Sequence, residues 1–113
     1  PHHLLKGSLC TLESFCKMVI DVVDLIGVNN IGIGSDLVQN QPDEIVSWMR
    51  NGKWKKISTS EIKKDYFPKP TNFFKNNCDF KKIENGLKLY GLKKKEIDNI
   101  MGNNWFNFFK KVF

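Results

Sequence analysis

A chain of 113 residues with 18 Lys+Arg against 12 Asp+Glu carries a formal charge of +6, with 41% hydrophobic, 12% aromatic and 27% charged residues. These are globular values, and they exclude a disordered, collagen-like or disulfide-scaffold chain. The length allows one domain. Asp21 and Asp24 interrupt the longest apolar stretch, so nothing approaches the ~20 continuous apolar residues of a membrane span.

All basic residues except Arg50 are Lys, Asn is abundant and Ala is absent. Arg supplies the planar fork preferred for phosphates and bases, so a nucleic-acid surface nearly devoid of it is unusual. The Lys, Asn and Ile bias of an AT-rich coding sequence accounts for the +6 better than a binding patch does. The longest basic run, Lys93–Lys95, reads as a solvated helix start. Three Cys without Cys-x-x-Cys spacing fit neither a metal cluster nor a disulfide framework. They indicate reduced thiols in a cytoplasmic-type compartment.

In chain order, the first predicted element is a helix over 11–26. Phe15, Met18, Val19, Val22, Val23 and Ile26 fall at i, i+3, i+4, i+7, i+8 and i+11, one apolar stripe at helical period. Thr11 suits its N-cap, Glu13 its first turn and Gly27 its C′ position. A short buried strand is predicted over 28–35, holding Ile31 and Ile33 and closing at Gly34-Ser35-Asp36. This order of amphipathic helix, turn and apolar strand is the αβ unit of a parallel sheet.

Residues 42–113 then read as a helical extension. Pro42 opens a helix reaching Arg50, with Ile45, Val46 and Met49 inward. The mixed segment Trp54–Lys69 holds a helical turn near Ser60–Lys64, and Thr71 caps a turn with Phe73 and Phe74. Helices are predicted over 79–90, over 94–101 with Gly102 as its stop, and over 103–112. In the last, Trp105, Phe106, Phe108 and Phe109 read as core. A strand buried on both faces needs neighbours on both edges, and Trp54–Ser58 is a poor candidate. With no initiating Met before Pro1, the chain reads as a fragment.

Among candidate site residues, Asp36 stands at the C-terminal end of the predicted strand, where α/β folds place ligand and catalytic groups. An Asp there also orders a following loop by bonding local N–H groups. Gly32-x-Gly34 lacks the third Gly and the following helix of a dinucleotide fingerprint. His2 and His3 are adjacent; on extended backbone they point to opposite faces and do not readily share one metal ion.

The run Ile31-Gly32-Ile33-Gly34-Ser35-Asp36 resembles the last barrel strand of the membrane (renal) dipeptidase family of zinc metallopeptidases, whose bacterial members carry G-I-G-[ST]-D there. Cys10–Cys16 and the helix after it look like that family's last barrel helix. Gln41-Pro42-Asp43 followed by Trp48–Trp54 resembles a bacterial subgroup. Ile100-Met101-Gly102-Asn103-Asn104-Trp105-Phe106-x-Phe108-Phe109 looks like the closing I-[ML]-G-[GN]-N-[WF]-[LF]-x-[VF]-F helix. The resemblance covers nearly the whole chain but only the C-terminal part of the family, because a complete barrel needs about 250 residues.

What the resemblance implies is an α/β fold, the C-terminal segment of a (β/α)8 TIM-type barrel. Its activity is metallo-dipeptidase hydrolysis of dipeptides with two zinc ions. The family's metal ligands are an early His-x-Asp, a bridging Glu and two later His; all fall upstream of Pro1, so no metal ligand is carried over. Asp36 matches the family's acid/base Asp, and His2 and His3 would lie at the pocket rim near substrate. An amide nitrogen leaves poorly unless protonated, and a carboxylate that takes the attacking water's proton and returns it to the amine completes the cycle. Eukaryotic members continue past the Asp with Phe-Asp-Gly, whereas Leu37-Val38-Gln39-Asn40 follows here; other small amide or lactone-like substrates stay open.

The expected partners are a small peptide substrate and the missing N-terminal part of the same barrel, in the bacterial cytoplasm, with no nucleic acid and no membrane span. A homo-oligomer is allowed. The alternative is a small basic helical module that binds nucleic acid or a protein partner, supported by the +6 and the aromatics.

Overall fold

The computed structural model describes residues 6–37, 42–51 and 69–113. They fall into two units, Pro1–Ser35 with Pro70–Phe113, and Asp36–Lys69.

The first unit is built on α1, Leu12–Ile26. Thr11 is extended (φ −87°, ψ 160°) and its Oγ1 accepts from Ser14 N–H at 3.1 Å. That bond satisfies one of the four N–H groups a helix start leaves open. Gly27 closes the other end at φ 83°, its N–H donating to Val23 O at 2.8 Å. Of the stripe read from the sequence, Val19 is buried, Phe15 and Val23 are partly covered and Ile26 is exposed; Cys16, which that stripe did not include, is fully buried.

Opposite lies α3, Phe80–Leu89. A 3-10 turn, Asn77–Asp79, leads into it. There Asn76 Oδ1 accepts from Cys78 N–H at 2.9 Å, while Asp79 Oδ2 accepts from Lys75 N–H at 2.7 Å and Asn76 N–H at 3.2 Å. Such reciprocal bonds are how a capping box fixes a helix entry. Ile83, Gly86 and Leu87, at i, i+3 and i+4, form the buried face of α3 and meet α1.

The remaining helix runs end to end as α4 (Lys94–Asp98), a π turn (Asn99–Asn103) and α5 (Asn104–Val112). Glu96 accepts from Lys93 N–H at 2.7 Å and starts it. Gly102 does not stop it. The π turn carries the chain through, with Asn104 N–H donating to Asn99 O, and a helical Gly costs only about 1 kcal/mol against Ala. The core of the unit is Cys16, Val19, Ile83, Leu87, Ile97 and Ile100, contributed by α1, α3, α4 and the π turn.

The second unit, among its described residues, is α2 (Asp43–Asn51) with short flanks. Pro42 O accepts from Ile45 N–H at 3.1 Å, and Asp43 and Glu44 occupy the first turn, where negative charge suits the helix dipole. Met49, expected inward, is exposed, as is Trp48. The candidate strand Trp54–Ser58 and the turn near Ser60–Lys64 lie outside the described residues.

The predicted strand over 28–35 requires correction. Val28–Asn30 is a 3-10 turn, Ile31 is extended (φ −122°, ψ 142°), and residues 31–37 carry no regular structure. Among the described residues there is no strand, and every regular element is helical. The α/β class and its assignment to the closing segment of a (β/α)8 barrel are thereby overturned. The physical reason is that an apolar extended run becomes a strand only when a neighbour supplies a hydrogen-bond ladder. Here helical elements bond the run instead. No helix among the described residues is long and apolar enough to cross a membrane.

Candidate functional site

Asp36 is exposed, and its φ of 47° is left-handed. Among the described residues only Lys6 shares that property outside glycine. Asp tolerates this region better than most residues, and sparsely populated backbone of this kind recurs at functional sites. His2 and His3, assigned to a pocket rim, lie outside the described residues.

The backbone ahead of Asp36 is held by the π turn and the start of α5. Asn104 Nδ2 donates to Val28 O at 2.8 Å and to Ile31 O at 2.7 Å. Trp105 Nε1 donates to Ile33 O at 3.2 Å, and Ile33 N–H donates to Ile100 O at 3.2 Å. Asn99 Nδ2 adds a bond to Asn29 Oδ1 at 3.0 Å. Both backbone groups of Ile33 are thus engaged, the N–H by the π turn and the carbonyl by α5. At the preceding residue, Gly32, a Cβ would lie 2.4 Å from Trp105 Nε1. Real Cβ atoms do not approach so closely, so only glycine leaves the indole its place.

Two features of this arrangement escaped the sequence reading. Asn104 looked like one more product of composition bias, yet both its amide protons are spent on the 28–31 backbone. The terminal aromatics were expected as core, but Trp105 is 42% exposed and Phe106 67% exposed, and Phe108, Phe109 and Phe113 are exposed as well. Trp105, Phe109 and Phe113 instead stack along α5, with ring centroids 5.9 and 6.2 Å apart. The position of Asn104 and Trp105 inside the closing motif was the one available signal.

Among the described residues no group of three or more His, Cys, Asp or Glu is placed to hold a metal; these residues do not by themselves fit a zinc site. The three Cys are free thiols, with Cys10 and Cys16 buried and Cys78 exposed. Burial pushes the Cys16 thiol up to about 11, with neighbouring Cys10 adding to the rise. Burial also raises Cys10, against an opposing pull from Lys6. Neither is an activated nucleophile, which requires a depressed value. No protein-family model, curated protein or solved structure matches this chain.

Proposed function

We propose that this chain contributes the acid/base carboxylate, Asp36, to a zinc-dependent hydrolase that cleaves the amide bond of dipeptides or similar small substrates. The reading is carried by the meeting of two sequence signatures. Ile31–Asp36 and Ile100–Phe109 each resemble the dipeptidase family, and they bond to one another across 72 or 73 residues of chain.

Asp36 suits the role chemically. Its carboxylate takes a proton from the attacking water and delivers it to the departing amine nitrogen, and its exposure leaves it open to water and substrate. In this reading the zinc ligands belong to polypeptide preceding Pro1, and the 113 residues alone are inactive. Measurable zinc-dependent hydrolysis by them alone contradicts that.

The test is the coding sequence ahead of the Pro1 codon. An in-frame His-x-Asp, a later Glu and two further His are expected, and their absence overturns the proposal. In the full polypeptide, Asp36→Asn should lower kcat by about 10²- to 10⁴-fold, the contribution typical of general acid–base catalysis, with zinc retained. Loss of the metal would instead make Asp36 a ligand.

A further inference from the structure

We infer that α5 is a docking ridge for the surface of a bilayer that contains anionic phospholipid, its aromatic face lying among the headgroups. The inference is independent of the role of Asp36.

At about 100° per residue, Phe108, Val112, Trp105, Phe109, Phe113 and Phe106 follow one another around an arc of about 160° on this helix. All six are exposed, from 42% at Trp105 to 97% at Phe113. With aromatic side chains offering about 150–250 Å² each, the face presents roughly 700 Å² of apolar surface, more than the ~300–600 Å² of the largest patch on an ordinary monomer. The ridge is not a frayed end. Trp105 Nε1 ties it to Ile33 O, Phe113 N–H donates to Phe109 O at 2.9 Å, and the rings of Trp105, Phe109 and Phe113 stack in series. The core of the unit contains no residue of α5, so these rings are not what holds the unit together.

Charge identifies the occupant. Residues 99–113 include no Asp and no Glu. Lys110 and Lys111 are exposed, and among the described residues neither has an ion-pair partner. They flank the aromatic arc on its two sides, Lys110 beyond Phe106 and Lys111 beyond Phe108. From there their long stems reach phosphates while the rings sink between the headgroups. A second copy on this face would add two more lysines and no carboxylate to meet them. A protein groove takes its anchors along one narrow seam, whereas a bilayer has no fixed shape and accepts rings spread over a wide arc. Each lysine near an anionic surface strengthens attachment about fivefold.

The experiment is co-sedimentation of the full polypeptide with vesicles of phosphatidylcholine alone, or of phosphatidylcholine and phosphatidylglycerol in equal parts. Binding is expected only where phosphatidylglycerol is present. It should weaken between about 0.1 M and 1 M salt, as the screening length falls from about 10 Å to 3 Å. Lys110→Gln with Lys111→Gln should weaken it about 30-fold. Phe106→Glu, which sets a charge into the apolar arc at a residue 67% exposed, should abolish it with the melting temperature unchanged. If Phe106→Glu does not fold, the lysine pair, already in solvent, keeps the test available. Absence of wild-type binding, equal binding to both kinds of vesicle, or undiminished binding by the variants overturns the inference. A face occupied by a second copy, or by another part of the polypeptide, gives no vesicle binding; in the first case sedimentation equilibrium finds a dimer that Phe106→Glu splits, and either result overturns it too.

Discussion

Trp105 stands so close to Gly32 that a Cβ at residue 32 would lie 2.4 Å from its Nε1 and 2.8 Å from Cδ1 and Cε2. Gly32→Ala must therefore displace the ring. The partly exposed indole has room to swing outward, but that movement breaks its bond to Ile33 O. Overpacking of this kind costs about 1–3 kcal/mol. In a Trp105→Ala background the obstacle is gone, and Gly32→Ala should be neutral or stabilising by about 0.4–1 kcal/mol through the unfolded chain. Urea denaturation of the four proteins measures both values. An equal cost in the two backgrounds would show that the ring is not what confines residue 32.

How much of this was legible in the sequence differs from element to element, for physical reasons. The helix Leu12–Ile26 was readable because its signals are local: a stripe at period 3.6, a Thr11 cap and a Gly27 end. Ile31 and Ile33 were expected in a strand buried on both faces, but they are half-buried and belong to no strand. An apolar extended run looks the same whether a strand or a helix end receives its backbone bonds, and here Ile100 O and the α5 side chains do. Gly102 looked like a stop because glycine ends helices often; the π turn that absorbs it depends on the i→i+5 bond from Asn104 N–H to Asn99 O. Asp36 was visible as the residue closing the apolar run, whereas its left-handed backbone was not. Asn104 was marked only by its place in the closing motif, and its role was not legible there because its partners lie more than 70 residues away.

The three thiols should separate cleanly by reactivity. Cys16 is fully buried, and its thiol, raised to about 11, stays protonated at neutral pH; Cys10 is buried and raised as well. Cys78 is exposed. The thiolate is the reacting species, so a thiol-specific reagent at pH 7.5 should label Cys78 rapidly and the other two only on unfolding. Intact-mass analysis should find one label under native conditions and three in denaturant. Rapid native labelling of Cys16 would contradict its burial between α1 and α3.

Acid should act on the entry to α3 through Asp79. The hydrogen bond from Lys82, followed by those from Lys75 N–H and Asn76 N–H, lowers this carboxyl from 3.8 to about 2. A folded-state value below the unfolded one favours folding while the carboxylate is ionised. That contribution is complete above about pH 4 and is lost as pH falls towards 2. Asp79→Asn cannot ionise, so its denaturation midpoint should fall less steeply than the wild type's between pH 4 and 2, while lying below it at pH 6. Parallel curves across that window would show that Asp79 makes no linked contribution.

Gly86 sets how closely α3 approaches α1, and two opposing effects decide what a methyl there does. A Cβ at residue 86 would lie 2.6 Å from Cys16 Sγ and 3.3 Å from Leu12 Cδ1. Replacing a helical Gly by Ala gains about 1 kcal/mol in propensity. Against this, overpacking a closed core costs about 1–3 kcal/mol, and Cys16, with no exposed surface, has nowhere to retreat. The net effect of Gly86→Ala should be destabilising, by about 1 kcal/mol on these magnitudes. Cys16→Ala removes the sulfur and leaves only the partly exposed Leu12 side chain in the way, which can shift by a few tenths of an ångström. In that background the same Gly86→Ala change should become neutral or stabilising. Equilibrium denaturation of the two pairs reads the change of sign; a Gly86→Ala cost that survives removal of the sulfur would place the constraint on the α3 backbone rather than on Cys16.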